Sequence, residues 1–554
     1  MKKHLFFLIL LFVLPGMMNH LYAQKQKPLR VEFETKRTSN NYNIVPIGKE
    51  GVLLFYDDDE KTKEGRKWIV TKYNTDLKEV WSEDIAIPGA VDFIKYYYDE
   101  AGKQLYIMLG RNRKYASEAA FMTNNKGDFA ILTVDVKDGK SKSVTGKLDA
   151  QTGVMDFKVL NGRAYISGWK MPPAIAGCFQ GCFTYTCIPT LTGVTMTRLK
   201  PFAMSMDVES GKENVQNFNF KKHSFAVGSQ IDNKKGEPGV VVFIKNRPDK
   251  KSANAYLYRY NSDGEEVQKL ALKTKGNKIL NNAKFYRVND KESIIIGTYD
   301  NLVVKLRNPM SPYSTGYTNE AVGLYFAKFT DEAQDYIQFY PFSKFEDLFS
   351  YMNAKRKTKL DKKMDKAKKK GKAMDIQYSL LVHDIIPRKD HFIMVAEAYY
   401  PQYHYEYYTT YVNGKMQTEV RRVFDGYRYT HALVAGFDKE GELLFNNSFE
   451  VWDILTFNLK ERVKVMPDGD NIILTYSTGG AISSKIVSGN SVIEGKTETK
   501  IETMSEDDKV KSNWSSDMDF WYDNYFITYG YQRIKDKKQK QKRTVFYFNK
   551  IGFE

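Results

Sequence analysis

Between residues 154 and 220 the chain repeats one small pattern. VMDFKVLNGRAYISGW is two short apolar runs about an Asn161-Gly162 turn, and FAMSMDVESGKENVQNFNF is two more about a Glu209-Ser210-Gly211 turn. Alternating runs of this length, bounded by turn residues, read as strands of one small antiparallel sheet. The pattern recurs at about 43–87, 91–148, 224–273, 279–342 and 378–450, again from 459, and finally in FWYDNYFITYGYQ and RTVFYFNKIGFE. Such a sheet cannot bury both faces alone, so neighbours must stack. The expectation is an all-β chain: a single β-propeller of about eight four-stranded blades, or seven if one weaker repeat is a decorated loop.

The last repeat holds three strands rather than four, and LRVEFETK at 29–36 is a strand with no partner nearby. The missing strand and the spare strand explain each other. Pairing them closes the ring and removes an exposed sheet edge.

The N-terminus reads as a signal peptide over 1–23, with Lys2, Lys3 and His4 before an apolar core that breaks at Pro15-Gly16, and a small residue, Ala23, at the cut. Ten apolar residues are too few to span a bilayer, and no later run is long enough. The mature propeller then covers 24–554, exported to the periplasm, to the outer membrane or beyond the cell. Formal net charge is +17, and loss of Lys2 and Lys3 leaves +15. In an exported chain that charge points to an anionic envelope surface, or only to solubility, rather than to nucleic acid.

Several outer hairpins share a motif: an apolar strand, Asp, a short spacer and Gly. It stands as DVKDG from Asp135 to Gly139, DVESG from Asp207 to Gly211 and DKEG from Asp438 to Gly441, with NTDLKEVW from Asn74 as a looser copy. The side chain of Asp or Asn caps the turn and Gly takes positive φ. The motif resembles the blade repeat of the quinoprotein-like propeller superfamily. That resemblance implies an eight-bladed ring and no particular activity. The quinoprotein dehydrogenases carry an adjacent Cys-Cys pair, which this chain lacks, so no cofactor is expected, and the better analogy is with noncatalytic envelope scaffolds.

Long insertions at about 113–127, 171–199, 301–322 and 400–430 fall between second and third strands, and one at 343–375 falls between blades. Both kinds of connection open on the same side of a propeller. One face is therefore elaborate and the other plain, and binding residues concentrate on loops carried by a rigid scaffold. The 343–375 insertion reads as a helix opened by a Ser343–Glu346 capping box, with Phe345, Leu348, Phe349 and Met352 on one face, continued by Leu360, Met364 and Ala367. Its second half is rich in lysine, including Lys362, Lys366 and Lys369, and is either a cationic arm for anionic lipid, lipopolysaccharide or an acidic partner, or a solvated face of a helix packed by its apolar stripe. The 400–430 insertion reads as a protruding hairpin about Asn413-Gly414. That turn sets Tyr411 across from Met416, Tyr407 across from Val420 and Tyr405 across from Arg422, with Tyr403 on the same face. Such an aromatic face fits a protein or glycan partner.

The three cysteines, Cys178, Cys182 and Cys187, share one insertion. An exported chain permits one disulfide among them, and their spacing matches no metal site. No nucleophile elbow, zinc-binding His-Glu-x-x-His or phosphate-binding Gly loop is present, so no catalytic or metal-ligating residue is assigned. His383, Asp384, His391 and Glu397 read as ordinary polar residues at strand ends. The resulting expectation is a non-enzymatic binding or assembly scaffold of the cell envelope acting through its decorated face. The alternative is a carbohydrate-binding protein or hydrolase that uses the central opening, and its mark would be charged groups converging on the axis.

Overall fold

A computed structural model describes residues 29–552 apart from 36–41, 63–64, 89–91, 111, 114–120, 124–127, 149–151, 171–199, 219, 221–223, 235, 247–252, 275, 302–319, 346, 350, 353, 370–375, 413–414, 458, 506 and 539–540. The segment expected to be a signal peptide and all three cysteines lie outside the described residues.

The hydrogen bonds sort the strands into eight antiparallel sheets, each built on a meander of four strands. The chain is one all-β propeller. Sheets are numbered here in chain order, so the first is Asn43–Pro46, Val52–Thr62, Gly65–Tyr73 and Glu79–Pro88. First strands of successive sheets touch one another, which puts them around the axis. The eighth sheet is Asp508–Tyr522, Tyr525–Asp536 and Lys542–Gly552, completed by Arg30–Glu34. That strand pairs in register from Arg30 with Asn549 to Glu34 with Val545. The spare strand therefore closes the ring, as its sequence position requires.

The apolar side chains lie between sheets. Val45, Leu53, Phe55 and Trp68 of the first sheet meet Leu105, Ile107 and Leu132 of the second. Phe546 and Phe548 of the eighth sheet meet Ile44 and Leu54 of the first, so the core is continuous across the closure. The central strands, such as Gly239–Asn246, bury one face against the preceding sheet and the other against the next, and so are buried along their whole length. Outer strands such as Ser141–Lys147 stay largely exposed.

The outer hairpins carry the turn chemistry read from the sequence. Gly139, Gly211 and Gly441 have φ of +76°, +72° and +80°. The Asp207 carboxylate accepts from the backbone N–H of Glu209 at 3.1 Å and of Ser210 at 2.8 Å, and Asp438 accepts from Glu440 at 3.0 Å and Glu442 at 2.7 Å. Asn74 does the same for Asp76 and Lys78, so the looser copy works alike.

The connection from the fifth sheet to the sixth departs from expectation. A continuous helix from Ser343 does not form. Phe342–Lys344 and Asp347–Phe349 are single 3₁₀ turns, Phe345 between them is extended at φ −92°, ψ 99°, and the α-helix is Ala354–Lys368. The cause is tertiary. Phe342, Phe345, Leu348 and Phe349 are drawn into the core between the fifth and sixth sheets, which a straight helix carrying them on one stripe cannot supply. Glu346, the expected capping partner, lies outside the described residues.

Candidate functional site

The strand order brings the ends of the long connections to one face. Two of them also reach the next sheet along the ring. Phe121–Thr123 pairs with the first strand of the third sheet, Thr152–Leu160, and Glu320–Ala321 pairs with the first strand of the sixth, Tyr378–Val382. Each covers an inner strand edge that would otherwise be open at the axis.

The sixth sheet carries the most prominent feature of that face. Its second and third strands run unbroken over His391–Val412 and Lys415–Asp438, 22 and 24 residues. These are several times the ordinary strand length. Their lower halves belong to the ring and their upper halves leave it. The pivot is built from two bulges, between Ala398 and Tyr399 and between Gln402 and Tyr403. Gly426 sits at the second with φ +131°, where a Cβ would lie 2.9 Å from the Thr456 carbonyl oxygen. A bulge bends its strand and sharpens its twist, and here it turns the hairpin out of the sheet.

Beyond the pivot the register is the one the Asn413-Gly414 turn dictates: Tyr405 opposite Arg422, Glu406 opposite Arg421, Tyr407 opposite Val420 and Tyr411 opposite Met416. Tyr407 is 72% exposed, Met416 68%, Tyr405 58% and Val420 55%. Large side chains so open are unusual in a folded chain, and four of them share one face. Tyr403, expected beside them, is not presented. It is half-buried under the Arg422 guanidinium, 3.6 Å from its ring centroid, and packs on Phe424. Sequence reading missed the other end of this face. Phe424 packs on Phe457, which is 66% exposed, and Leu455–Thr456 pairs with Tyr427 and Arg428 at the hairpin base. The back face is polar: the Tyr408 hydroxyl donates to Glu419 at 2.7 Å, and His404 lies against Asp425.

The helix Ala354–Lys368 lies at the same end of the same sheet. Leu360 and Met364 pack on the core cluster, and Lys362, Lys366 and Lys369 are exposed. Lys369 follows the helix end, with its backbone N–H bonded to the Asp365 carbonyl at 2.9 Å. The approach to the helix is pinned to the outer strand of the sheet: the Asp347 N–H donates to Asn446 at 3.0 Å and the Ser448 hydroxyl donates to the Asp347 carbonyl at 3.1 Å.

The axis holds a second constellation, which the sequence did not disclose. The first strands of most sheets are irregular at mid-length, with shifts at 93/95, 154/156, 226/228, 280/283 and 514/517. A charged or hydroxyl side chain follows each shift: Lys95, Asp156, Ser229, Lys284 and Asp517. Bulges re-aim side chains, and these groups meet across sheets. Ser229 donates to Asp156 at 2.8 Å, Lys284 pairs with Asp384 at 2.5 Å, and Lys464 pairs with Asp519 at 2.7 Å. Arg462 lies 3.1 Å from Asp517, which Lys460 also meets, and the Tyr529 hydroxyl donates to Asp519 at 2.9 Å.

Desolvation by the surrounding strands works to raise the solvent-exposed Asp384 carboxyl, but Lys284 overrides it and holds the group below the usual carboxylate range. Asp517 follows the same logic, with Arg462, Lys460 and Lys464 outweighing burial. His383 and Glu397, close in sequence, do meet: Nε2 of His383 is 2.7 Å from Oε1 of Glu397, which also accepts the backbone N–H groups of Arg462 at 2.8 Å and Val463 at 3.0 Å. Burial opposes the charged imidazole, and the Glu397 contact more than offsets it. Glu397 thus fastens the sixth sheet to the seventh. His391 stands apart, against Asp390 on the plain face.

No protein-family model and no curated protein matches this chain. Among solved structures it is similar to a eukaryotic initiation factor (10% identity, 94% of this chain and 91% of that one, TM-score 0.34) and to the polysaccharide lyase Uly1 (10%, 97% and 94%, 0.35). It is also similar to the β-propeller domain of the trilobed protease from Pyrococcus furiosus (6%, 82% and 95%, 0.29). Likenesses at this level carry no argument about activity. Among the described residues, no helix is long and apolar enough to cross a membrane.

Proposed function

We propose that this chain is an exported, non-enzymatic propeller that serves as a binding scaffold in the cell envelope, holding a protein partner on its decorated face. The observation that carries this reading is the hairpin of the sixth sheet. Beyond its pivot the two strands bond, among the described residues, only to each other. A two-stranded ribbon is marginal in water by itself. This one nonetheless presents Tyr405, Tyr407, Met416 and Val420 outward on a rigid base. Tyrosine and methionine in that setting are the currency of protein interfaces, and a partner covering them completes the ribbon. The resemblance of the Asp-to-Gly hairpin motif to the blade repeat of quinoprotein-like propellers, whose noncatalytic members are scaffolds, accords with the same reading.

The alternative places the function at the axis, as a carbohydrate-binding protein or a hydrolase. Charged groups do converge there. They are, however, arranged to neutralise one another across sheets, and the carboxylates whose titration is displaced move down. A general acid for glycoside hydrolysis needs a carboxyl moved up. The axial network therefore supports a structural role that locks sheets together.

The test replaces residues 403–424 with a two-residue turn and compares partner capture from envelope extract with the intact protein. The scaffold reading expects a partner lost on replacement while the ring remains folded by circular dichroism. Capture that survives replacement unchanged counts against it.

A further inference from the structure

The helix Ala354–Lys368 has used its apolar stripe. Leu360 and Met364, one turn apart, are half-buried on the core between the fifth and sixth sheets. At 100° per residue, Lys355, Lys359, Lys362 and Lys366 fall within about 60° of one another on the far side of the helix. All four are exposed, and among the described residues none of them pairs with a carboxylate. The row spans about 17 Å. The two acids of the helix, Asp361 and Asp365, lie on its flank. A solvated helix of ordinary design interleaves its charges so that Glu or Asp meets Lys at i+4. Here no acid stands four residues from any lysine of the row, the nearest at a facing spacing being Asp365, three after Lys362, and four cations stand in a line on a rigid base.

We infer that this lysine row docks the propeller on an anionic lipid surface, by contact with the headgroup phosphates. Its shape favours that occupant. The row lies along the exposed convex side of the helix, opposite the stripe packed on the core, and a convex row meets a flat surface. Single-stranded nucleic acid is gripped in grooves where aromatics interleave with cations, and no aromatic side chain lies in Ala354–Lys368. Because Leu360 and Met364 are committed to the core, the helix has no apolar face to insert, unlike an interfacial amphipathic helix. Contact is then electrostatic and shallow, with each lysine adding an increment that salt screens. The helix stands beside the hairpin on one sheet, so docking would orient the hairpin relative to the surface. The inference itself does not depend on what the hairpin binds.

The experiment is co-sedimentation of the mature protein with phosphatidylcholine vesicles, with and without phosphatidylglycerol, at low and high salt. Binding is expected only to the anionic vesicles, with strong loss at high salt. The variant K355Q/K359Q/K362Q/K366Q should bind on the order of 10²- to 10³-fold more weakly, and the all-arginine counterpart at the same positions should bind like the parent. Every substituted side chain is exposed, so circular dichroism should not change. Equal binding to neutral and anionic vesicles, or a glutamine variant that binds like the parent, overturns the inference. So does duplex or single-stranded DNA that displaces the vesicles at lower phosphate concentration than free phosphatidylglycerol vesicles do.

Discussion

The imidazole of His431 stacks on the ring of Tyr351, with centroids 3.9 Å apart and planes 13° from parallel. Tyr378 closes the other side edge-on at 4.9 Å, the Thr430 hydroxyl lies 3.0 Å from Nδ1, and the Tyr351 and Tyr378 hydroxyls are 2.9 Å apart. His431 stands on the strand that descends from the hairpin, and Tyr351 on the connection that leads to the lysine-rich helix. This stack is where the two decorations are fastened to the ring.

That fastening should be acid-sensitive. Burial pushes the His431 imidazole down to about 3. Its folded pKa is below its unfolded value, so the unfolded chain takes the proton first. The group is neutral in both states above about pH 6.5 and has no effect there. Below that, stability should fall by about 1.4 kcal/mol per pH unit toward pH 3. Urea unfolding from pH 7 to 4 checks this. His431→Phe should remove that part of the slope, and an unchanged slope contradicts the assignment. His383 acts in the opposite sense, and comparing variant with parent leaves its contribution common to both.

Ring closure should hinge on Arg30. Its guanidinium donates to Gln532 at 2.7 Å and Asn549 at 3.2 Å, meets Glu32 at 2.6 Å, and lies 4.1 Å from the Tyr547 ring centroid. Arg30→Ala should cost about 2–4 kcal/mol, because two buried amide oxygens lose their donor and Glu32 keeps only Arg543. Guanidinium titration gives the value. A loss under 1 kcal/mol means that the terminal strand does not hold the ring shut.

Asp517 should matter to stability. Asp517→Asn strips Arg462 and Lys460 of their shared carboxylate, with an expected loss of about 3–5 kcal/mol. Its folded pKa is depressed, so its contribution is present above about pH 3.9 and disappears as pH falls through the folded value. Thermal melts at pH 7 and pH 3 test both: the variant should melt well below the parent at pH 7, and the gap should narrow at pH 3.

Tyr405 and Tyr407 should be dispensable for folding. Their outward side chains support no core, so Tyr405→Ser with Tyr407→Ser should move stability by no more than about 0.5 kcal/mol per site. Partner affinity should drop about 30-fold or more, as for the central anchors of an interface. Calorimetric melts and a binding titration with a captured partner separate the two readouts.

What the sequence discloses here is local. Asn413-Gly414 fixes the hairpin register because the side-chain period is two, and once the turn is set every pair beyond it follows. Asp207 with Gly211 and Asp438 with Gly441 announce hairpins because side chain and φ act within five residues. The N-terminal strand is legible because the last repeat lacks one. Tertiary pull is not legible. Phe345 breaks the expected helix because the core between two sheets needs its ring, and Tyr403 is covered because Arg422 folds over it. The axial network is the extreme case. Asp156, Lys284 and Asp517 come from different sheets far apart in the chain, and each is aimed by a bulge that leaves no mark in composition or periodicity.

The central claim is tested most directly by site-specific photocrosslinking in envelope extract. A photoreactive residue is placed at Tyr407 on the hairpin and, separately, at Asn161 in the turn of the third sheet on the plain face. The account predicts a discrete protein adduct from position 407 and none from position 161. Identical adducts from both positions, or an adduct from 161 alone, would contradict it.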